Sequence, residues 1–412
     1  MNTPSTVKSM SRSRLRRIAA VAGLALIAAG CASDAAQDTW DPAGPSAQEI
    51  HNLQWPVFLI AGLVGLTVFV FVGIIVVKFR DRGQAIPEQT HGRPSLEIAL
   101  TILPALILIG VAIPTVGTLM ALNDTEDTEC VINVTGQQWW WEIDYPVQEG
   151  CGGISEPIVT SGQMVIPTET AVLVRGTSRD VIHSWWIPRL NGKRDMVPGR
   201  VHVNKLEADE PGIYAGQCTE FCGLSHANMR MEVIAMEPDD FEAWKAGQLS
   251  EYTKPEEGTL AAAGEGTFIA QCSRCHQVNG LEDAAGDLVI ARPDLNVYSG
   301  AAPNLSWLMS RNTFAGASFD LLVPECREAV WNAPSADVGA AYLEGVTPEC
   351  LNSTQLRAWL RDAPAMKPMY TNPDDLAETA DLPRGMPYLA LSEDQIDELV
   401  AYLLTRNPAT GD

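Results

Sequence analysis

Two long apolar blocks dominate the hydropathy pattern of the 412-residue chain. Pro56–Val77 and Ile98–Leu122 each run without a charged residue, and each meets the roughly 20-residue requirement for a helix crossing a bilayer core. They predict a transmembrane hairpin over 56–122. A shorter apolar run, Ile18–Gly30, follows Lys8, Arg12, Arg14, Arg16 and Arg17 and predicts an export signal over 1–30. It ends in Ala28-Ala29-Gly30-Cys31. Those small residues make Cys31 the expected lipidated first residue of the mature chain, although Ala28 stands where a lipoprotein box prefers leucine; the alternative is ordinary cleavage nearby. Lys78, Arg80, Arg82 and Arg93 lie between the spans, whereas Asp124, Glu126, Asp127 and Glu129 follow the second. Bases mark the cytoplasmic side, so the external segment 31–55 and everything after Leu122 sit outside a bacterial plasma membrane.

Beyond Leu122 the periodicity changes twice. Over 123–240, short apolar or alternating runs such as Val131–Val134, Met164–Ile166 and Arg230–Met236 predict an antiparallel β-sandwich. The Pro-, Glu-, Gly- and Ala-rich composition around Tyr252–Gly264 places a linker at 241–262. The region 263–412 reads as helical. Its last helix is marked by a Ser392/Gln395 capping box, by Glu393 and Asp394 in the first turn, and by an apolar stripe of Ile396, Leu399, Val400 and Leu403. A net charge of −23 argues against a nucleic-acid binder. Cysteines stand at 31, 130, 151, 218, 222, 272, 275, 326 and 350, an odd number that leaves at least one outside an intramolecular pair.

The chemistry concentrates in two motifs. Gln217–Met229 packs Cys218, Cys222, His226 and Met229 into one loop. Soft sulfur with imidazole selects copper or zinc, and a structural zinc site has no use for Met229. Two cysteines allow both sulfurs to bridge two coppers. Such a site needs a second histidine: His183 is the best donor, and His202, in the strand-like Val201-His202-Val203, is the runner-up. A Cys218–Cys222 disulfide would leave His226 and Met229 unexplained. Cys272-Ser273-Arg274-Cys275-His276 reads as covalent haem attachment, with His276 on the iron. Met366, Met369 and Met386 are candidates for the sixth ligand, and Met386, just before the capped helix, is the expected one. Two further features stay open on residues alone. Glu97, at the inner end of the second span, is a snorkelling residue or part of a proton path. Trp139–Trp141 are core or a docking surface.

The order of apolar hairpin, GQQWWWEIDYP (136–146), DVIHSWWIP (180–188), PGR (198–200) and GxYxGQCxExCGxxHxxM (212–229) resembles subunit II of cytochrome c oxidase over 56–236. The resemblance implies a cupredoxin fold holding the dinuclear copper centre CuA. Its ligands would be His183, Cys218, Cys222, His226 and Met229 with the backbone carbonyl of Glu220, whose carboxylate would reach a magnesium ion at the subunit I interface. It also implies that Trp139 is an exposed indole through which electrons arrive, and that Glu97 lies at the mouth of a proton channel feeding subunit I. The C-terminal region is similar to class I cytochromes c, which are all-α and close a methionine loop over haem c. The whole is expected to be a proton-pumping oxidase component in which electrons pass from a donor to haem c, to CuA and to subunit I, with subunit III as a further partner. Tethering keeps the cytochrome near CuA. Residues 241–412 carry 25 acids against 11 bases, so a basic cytochrome c or a rigidly docked bc complex is the expected donor.

From His276 to Met386 is 110 positions, longer than a compact cytochrome c needs, with the excess around 319–352 and 368–382. Once lipid, copper and haem take five cysteines, Cys130–Cys151 and Cys326–Cys350 remain as expected disulfides. The rival class is a membrane-anchored copper and haem electron carrier belonging to no oxidase, which would not require Glu97 at the inner end of a hairpin.

Overall fold

The computed structural model describes residues 35–83, 91–283, 285–289, 302–371 and 384–408, with Val21 and Gly23. The export signal, apart from those two residues, and Cys31 lie outside the described residues. Both long apolar blocks are helices, α1 (Pro45–Lys78) and α2 (Pro94–Asn123), and neither 18-residue apolar window has any buried share. Pro56, Pro104 and Pro114 sit inside them, which spanning helices tolerate.

Helix α1 begins well before its apolar run. Pro45 takes a first-turn position, where a missing N–H is harmless. Ser46 and Ala47 are buried because the preceding segment straps the helix to the sandwich. Ala43 N–H donates to Arg189 O at 2.7 Å, Ala47 N–H to Leu190 O at 3.2 Å, and Asp209 N–H to Ala43 O at 2.9 Å. At the other junction, the Arg194 guanidinium donates to Asn123 Oδ1 at the end of α2.

The sandwich is built from β1 (Cys130–Gln137), β2 (Trp140–Tyr145), β3 (Ile158–Ser161), β4 (Gln163–Pro167), β5 (Val172–Ser178), β6 (His183–Trp185), β7 (Arg194–Met196), β8 (His202–Leu206), β9 (Gly212–Gln217) and β10 (Arg230–Met236). One sheet runs β3-β2-β1-β5-β8, a second β4-β10-β9, and β6 pairs with β7 at the rim. Strands β1 and β5 alternate between buried and half-buried positions, with Ile132, Val134, Val172 and Val174 facing inward. The expectation of a purely antiparallel sandwich is corrected: β1 pairs with β5 and β4 with β10 in parallel. Both pairs join strands distant in sequence, so no tight hairpin constrains their direction.

Helix α3 (Pro238–Gln248) folds back onto the sandwich, its Trp244 ring 5.1 Å from Tyr145. The C-terminal region contains α4 (Leu260–Gln271), α5 (Pro324–Trp331), α6 (Val338–Leu343), α7 (Ser353–Arg361), α8 (Ala363–Met366) and α9 (Glu393–Leu404). Ser392 and Gln395 form the capping box expected for α9. Helices α4 and α9 cross where Gly264 meets the Glu398 carbonyl, a contact with no room for a Cβ. This region also holds a small hairpin, β11 (Thr313–Phe314) with β12 (Phe319–Asp320), so it is not purely helical. Ala315, Gly316 and Ala317 all take positive φ in its turn. That turn docks on the sandwich: Arg230 N–H donates to Gly316 O at 2.9 Å, and the Ser318 hydroxyl to Asn228 O.

Both expected disulfides are formed, Cys130–Cys151 and Cys326–Cys350, with sequence separations of 21 and 24. Loop-entropy arithmetic gives each a stabilisation of about 3.5 kcal/mol. Cys350→Ser, paired with Cys326→Ser to avoid a stray thiol, is expected to lower the denaturation midpoint accordingly; equilibrium unfolding that leaves the midpoint unmoved would refute it.

A buried polar network joins the two regions. Gln163 Nε2 donates to Glu232 Oε2, while Gln163 Oε1 accepts from Asn312 N–H at 2.9 Å and from the Tyr342 hydroxyl at 3.1 Å. Burial pushes the Glu232 carboxyl above the ordinary glutamate range, opposed by its hydrogen bond to Gln163 and by Arg327. Its stabilising contribution is therefore complete below the unfolded pKa and is lost as pH rises through the raised folded value. Glu232→Gln keeps an acceptor for Gln163. It is expected to match the wild type in acid and to be the more stable of the two near pH 8, as read by pH-dependent unfolding.

Candidate metal centre and haem cavity

Strand β9 delivers Cys218 to the start of a loop that returns to β10 through Cys222, His226 and Met229. Gly223 adopts φ +108°, and a Cβ there would press on the Gln138 amide. Gln138 Nε2 in turn donates to the Cys222 carbonyl at 2.7 Å, which pins the loop. From the other side β6 contributes His183, fully buried and edge-on to Trp141 at 5.6 Å.

The donor atoms converge. Cys218 Sγ lies 3.8 Å from Cys222 Sγ, 3.9 Å from His183 Nδ1 and 3.3 Å from the Glu220 carbonyl oxygen. Cys222 Sγ lies 3.5 Å from His226 Nδ1 and 3.8 Å from Met229 Sδ. Two thiols, two imidazoles, a thioether and a carbonyl around one point fit soft, closely spaced copper ions. His202 stands on β8 opposite Gly176 and is not among the clustered donors.

The electrostatics agree with a metal site. The sulfur–sulfur contact, with His183 and two backbone N–H groups, pulls Cys218 down to about 4, while the same contact and burial push Cys222 upward. Asp180, whose carboxylate is almost fully buried, accepts from His183 Nε2 at 2.9 Å, Gln138 N–H at 2.8 Å and Val181 N–H at 2.7 Å. Burial is the largest single influence and would raise Asp180 and lower His183, but their mutual bond together with the Gln138 and Val181 N–H bonds to Asp180 and the Cys218 contact to His183 outweighs it, so the carboxyl falls and the imidazole rises. With Nε2 engaged, His183 turns Nδ1 toward Cys218 Sγ, the nitrogen a metal there could take.

The second site is a cavity of about 930 Å³ whose walls include Cys272, Cys275, His276, Met369, Met386 and Trp139. Its volume lies in the range of binding pockets for large ligands. Cys272 and Cys275 are unbridged. Burial raises Cys272 to about 12. His276 Nδ1–H donates to Pro303 O at 2.8 Å, which leaves Nε2 for a ligand. Apolar walls from Phe268, Leu308, Leu356, Leu399 and Leu403 complete a cradle that fits haem.

Trp139 differs from expectation. Its indole is 2% exposed, not open to solvent. The ring packs against Tyr370 at 5.1 Å and Nε1–H donates to the Cys222 carbonyl at 3.1 Å. The C-terminal region covers it, and Trp140 and Trp141 are core. Glu97 is exposed in the first turn of α2, its carboxylate against Gly92.

Sequence reasoning missed Asp180, Tyr370, Lys367 and Arg384. Asp180 was detectable as a carboxylate three residues before a ligand histidine. The other three reach the site only through the packing of one region on another, and no local pattern marks them.

The chain matches known proteins over most of its length. The family model for cytochrome c oxidase subunit II, transmembrane domain, matches residues 32–117, its periplasmic-domain counterpart matches 130–236, and the cytochrome c model matches 261–407. Cytochrome c oxidase subunit 2 of Alkalihalophilus pseudofirmus is 33% identical over 390 residues, covering 92% of this chain and 94% of its own. The subunit 2 of Bacillus sp. PS3 is 30% identical over 78% of this chain and 76% of its own. That of Cereibacter sphaeroides is 32% identical over 49% of this chain and 77% of its own.

Proposed function

The chain belongs to the cytochrome c oxidase subunit II family and carries a cytochrome c domain after its periplasmic domain, and from that premise we propose that it is the electron-input subunit of the oxidase. It takes single electrons from an external cytochrome c or bc complex at the C-terminal domain and passes them through the cupredoxin domain to subunit I, where oxygen becomes water and protons are pumped. When bound, haem c and the dinuclear copper supply reversible one-electron redox chemistry.

The chain's own residues hold these groups in place. His183, Cys218, Cys222, His226, Met229 and the Glu220 carbonyl are the copper donors. Asp180 fixes the His183 ring, and Cys218, the thiol held low, would meet the metal as a thiolate. Cys272, Cys275 and His276 would hold haem c, with Met386, from the loop ahead of α9, as the further residue on its iron; Met369, also in the cavity wall, is the alternative. The Glu220 carboxylate would serve magnesium at the subunit I interface. Glu97, on the cytoplasmic end of α2, would admit protons to subunit I. Cys31 would add a lipid anchor.

One observation carries the reading: Trp139 lines the haem cavity and donates its N–H to the carbonyl of Cys222, so one indole touches both sites. The test is gentle detergent extraction followed by optical spectroscopy. Co-purification with a large multi-span partner, with absorption from haem c, the copper pair and further haem, is expected. A chain that comes out alone with neither partner nor additional haem would defeat the proposal.

A further inference from the structure

The seam between the two domains carries two cations that neither the copper nor the haem ligand set requires. Lys367 follows α8 and is 3% exposed. Its ammonium donates to Trp139 O at 2.8 Å and to Ala315 O at 2.7 Å, tying the copper-side tryptophan to the β11–β12 turn. Arg384 stands two residues before Met386. Its Nε lies 3.8 Å from Asp180 Oδ2, the carboxylate that orients His183. Its backbone N–H donates to Tyr370 O at 2.9 Å, and the Tyr370 ring covers Trp139. Ser225, inside the copper loop, donates to Pro368 O.

These contacts converge on one tryptophan and its neighbours. A freely tethered domain would have no reason to bury a lysine amine against a partner carbonyl, because burial is costly enough to pull Lys367 down to about 7. A domain held in one pose would, since charge-assisted bonds to fixed acceptors set register as well as energy.

We propose that Lys367 and Arg384 are positioning residues that bolt the cytochrome domain onto Trp139, so that the two domains work from a single fixed pose rather than by tethered diffusion. This rests on the electron-input reading above. The bolts act through Trp139 and Asp180; neither cation is a ligand.

The test uses the intact detergent-purified complex. Hydroxyl-radical footprinting by mass spectrometry reads the pose directly: Trp139 should label as slowly as the core residue Trp141, and far more slowly than Tyr388, which is 62% exposed. In R384Q and in K367M, Trp139 labelling should rise at least about fivefold, and R384K should restore protection, because the ion pair needs a cation more than a guanidinium. Haem-to-copper electron transfer should be independent of solvent viscosity in the wild type and viscosity-dependent in R384Q. Should K367M lose its haem or copper spectrum, R384Q, whose partly exposed side chain leaves the core intact, decides. Fast labelling of Trp139 in the wild type, or unchanged protection in R384Q, would overturn the bolts. The underlying reading fails separately: protected Trp139 without electron transfer refutes the route and not the pose.

Discussion

Cys222→Ser should abolish the two-copper optical and magnetic signature and lower oxidase turnover by at least about 100-fold, since even residues that merely orient metal ligands cost 10–100-fold when lost. Cys222 Sγ is the hub of the donor cluster, within 3.8 Å of Cys218 Sγ and of Met229 Sδ and 3.5 Å from His226. A serine hydroxyl neither ionises near neutrality nor offers soft sulfur to copper. The loop itself should survive, because Gln138 and Trp139 hold the Cys222 backbone carbonyl and not its side chain. His202→Ala, outside the cluster, should leave the signature intact. A Cys222→Ser protein retaining the mixed-valence spectrum would remove Cys222 from the copper site.

Loss of haem attachment should have a comparably large effect on folding. In the Cys272→Ala/Cys275→Ala variant the cavity of about 930 Å³ would have no covalent occupant. At about 24 cal/mol per Å³ of dry cavity the upper bound is roughly 20 kcal/mol, above the 5–15 kcal/mol typical of a whole domain. Water filling part of the space reduces that figure, yet a fraction of it suffices to unfold the domain. The α4–α9 pair and the walls built from Phe268 and Leu399 should therefore collapse or be proteolysed, and haem staining should vanish. Since Tyr370 and Lys367 cover Trp139, the variant should also expose that indole. A haem-free variant melting with the wild type would show that the cavity does not organise the domain.

Most of this chemistry was legible because it is local. The spacing of Cys218, Cys222, His226 and Met229 is set by one loop, and Cys272 to His276 by one helix end. The capped helix α9 and the two spans follow from periodicity alone. What stayed hidden depends on packing between distant segments. Trp139 reads as an open indole in the family pattern, but the domain that buries it starts more than a hundred residues later. The parallel β1–β5 and β4–β10 pairs come from crossovers that alternation does not encode. The early start of α1 reflects the strap to Arg189 and Leu190, not hydropathy. Lys367 and Arg384 look like ordinary surface bases, since nothing near them in sequence reveals what they meet.

The buried network through Gln163 bears on how this protein can be rebuilt. A cut in the linker with a foreign cytochrome spliced behind it would leave Gln163 Oε1 without Asn312 and Tyr342, the Trp139 carbonyl without Lys367, and Asp180 without Arg384. The two domains are inherited as a matched set. A chimera would have to carry the facing residues across with the graft, or evolve new ones, before its modules could share a frame.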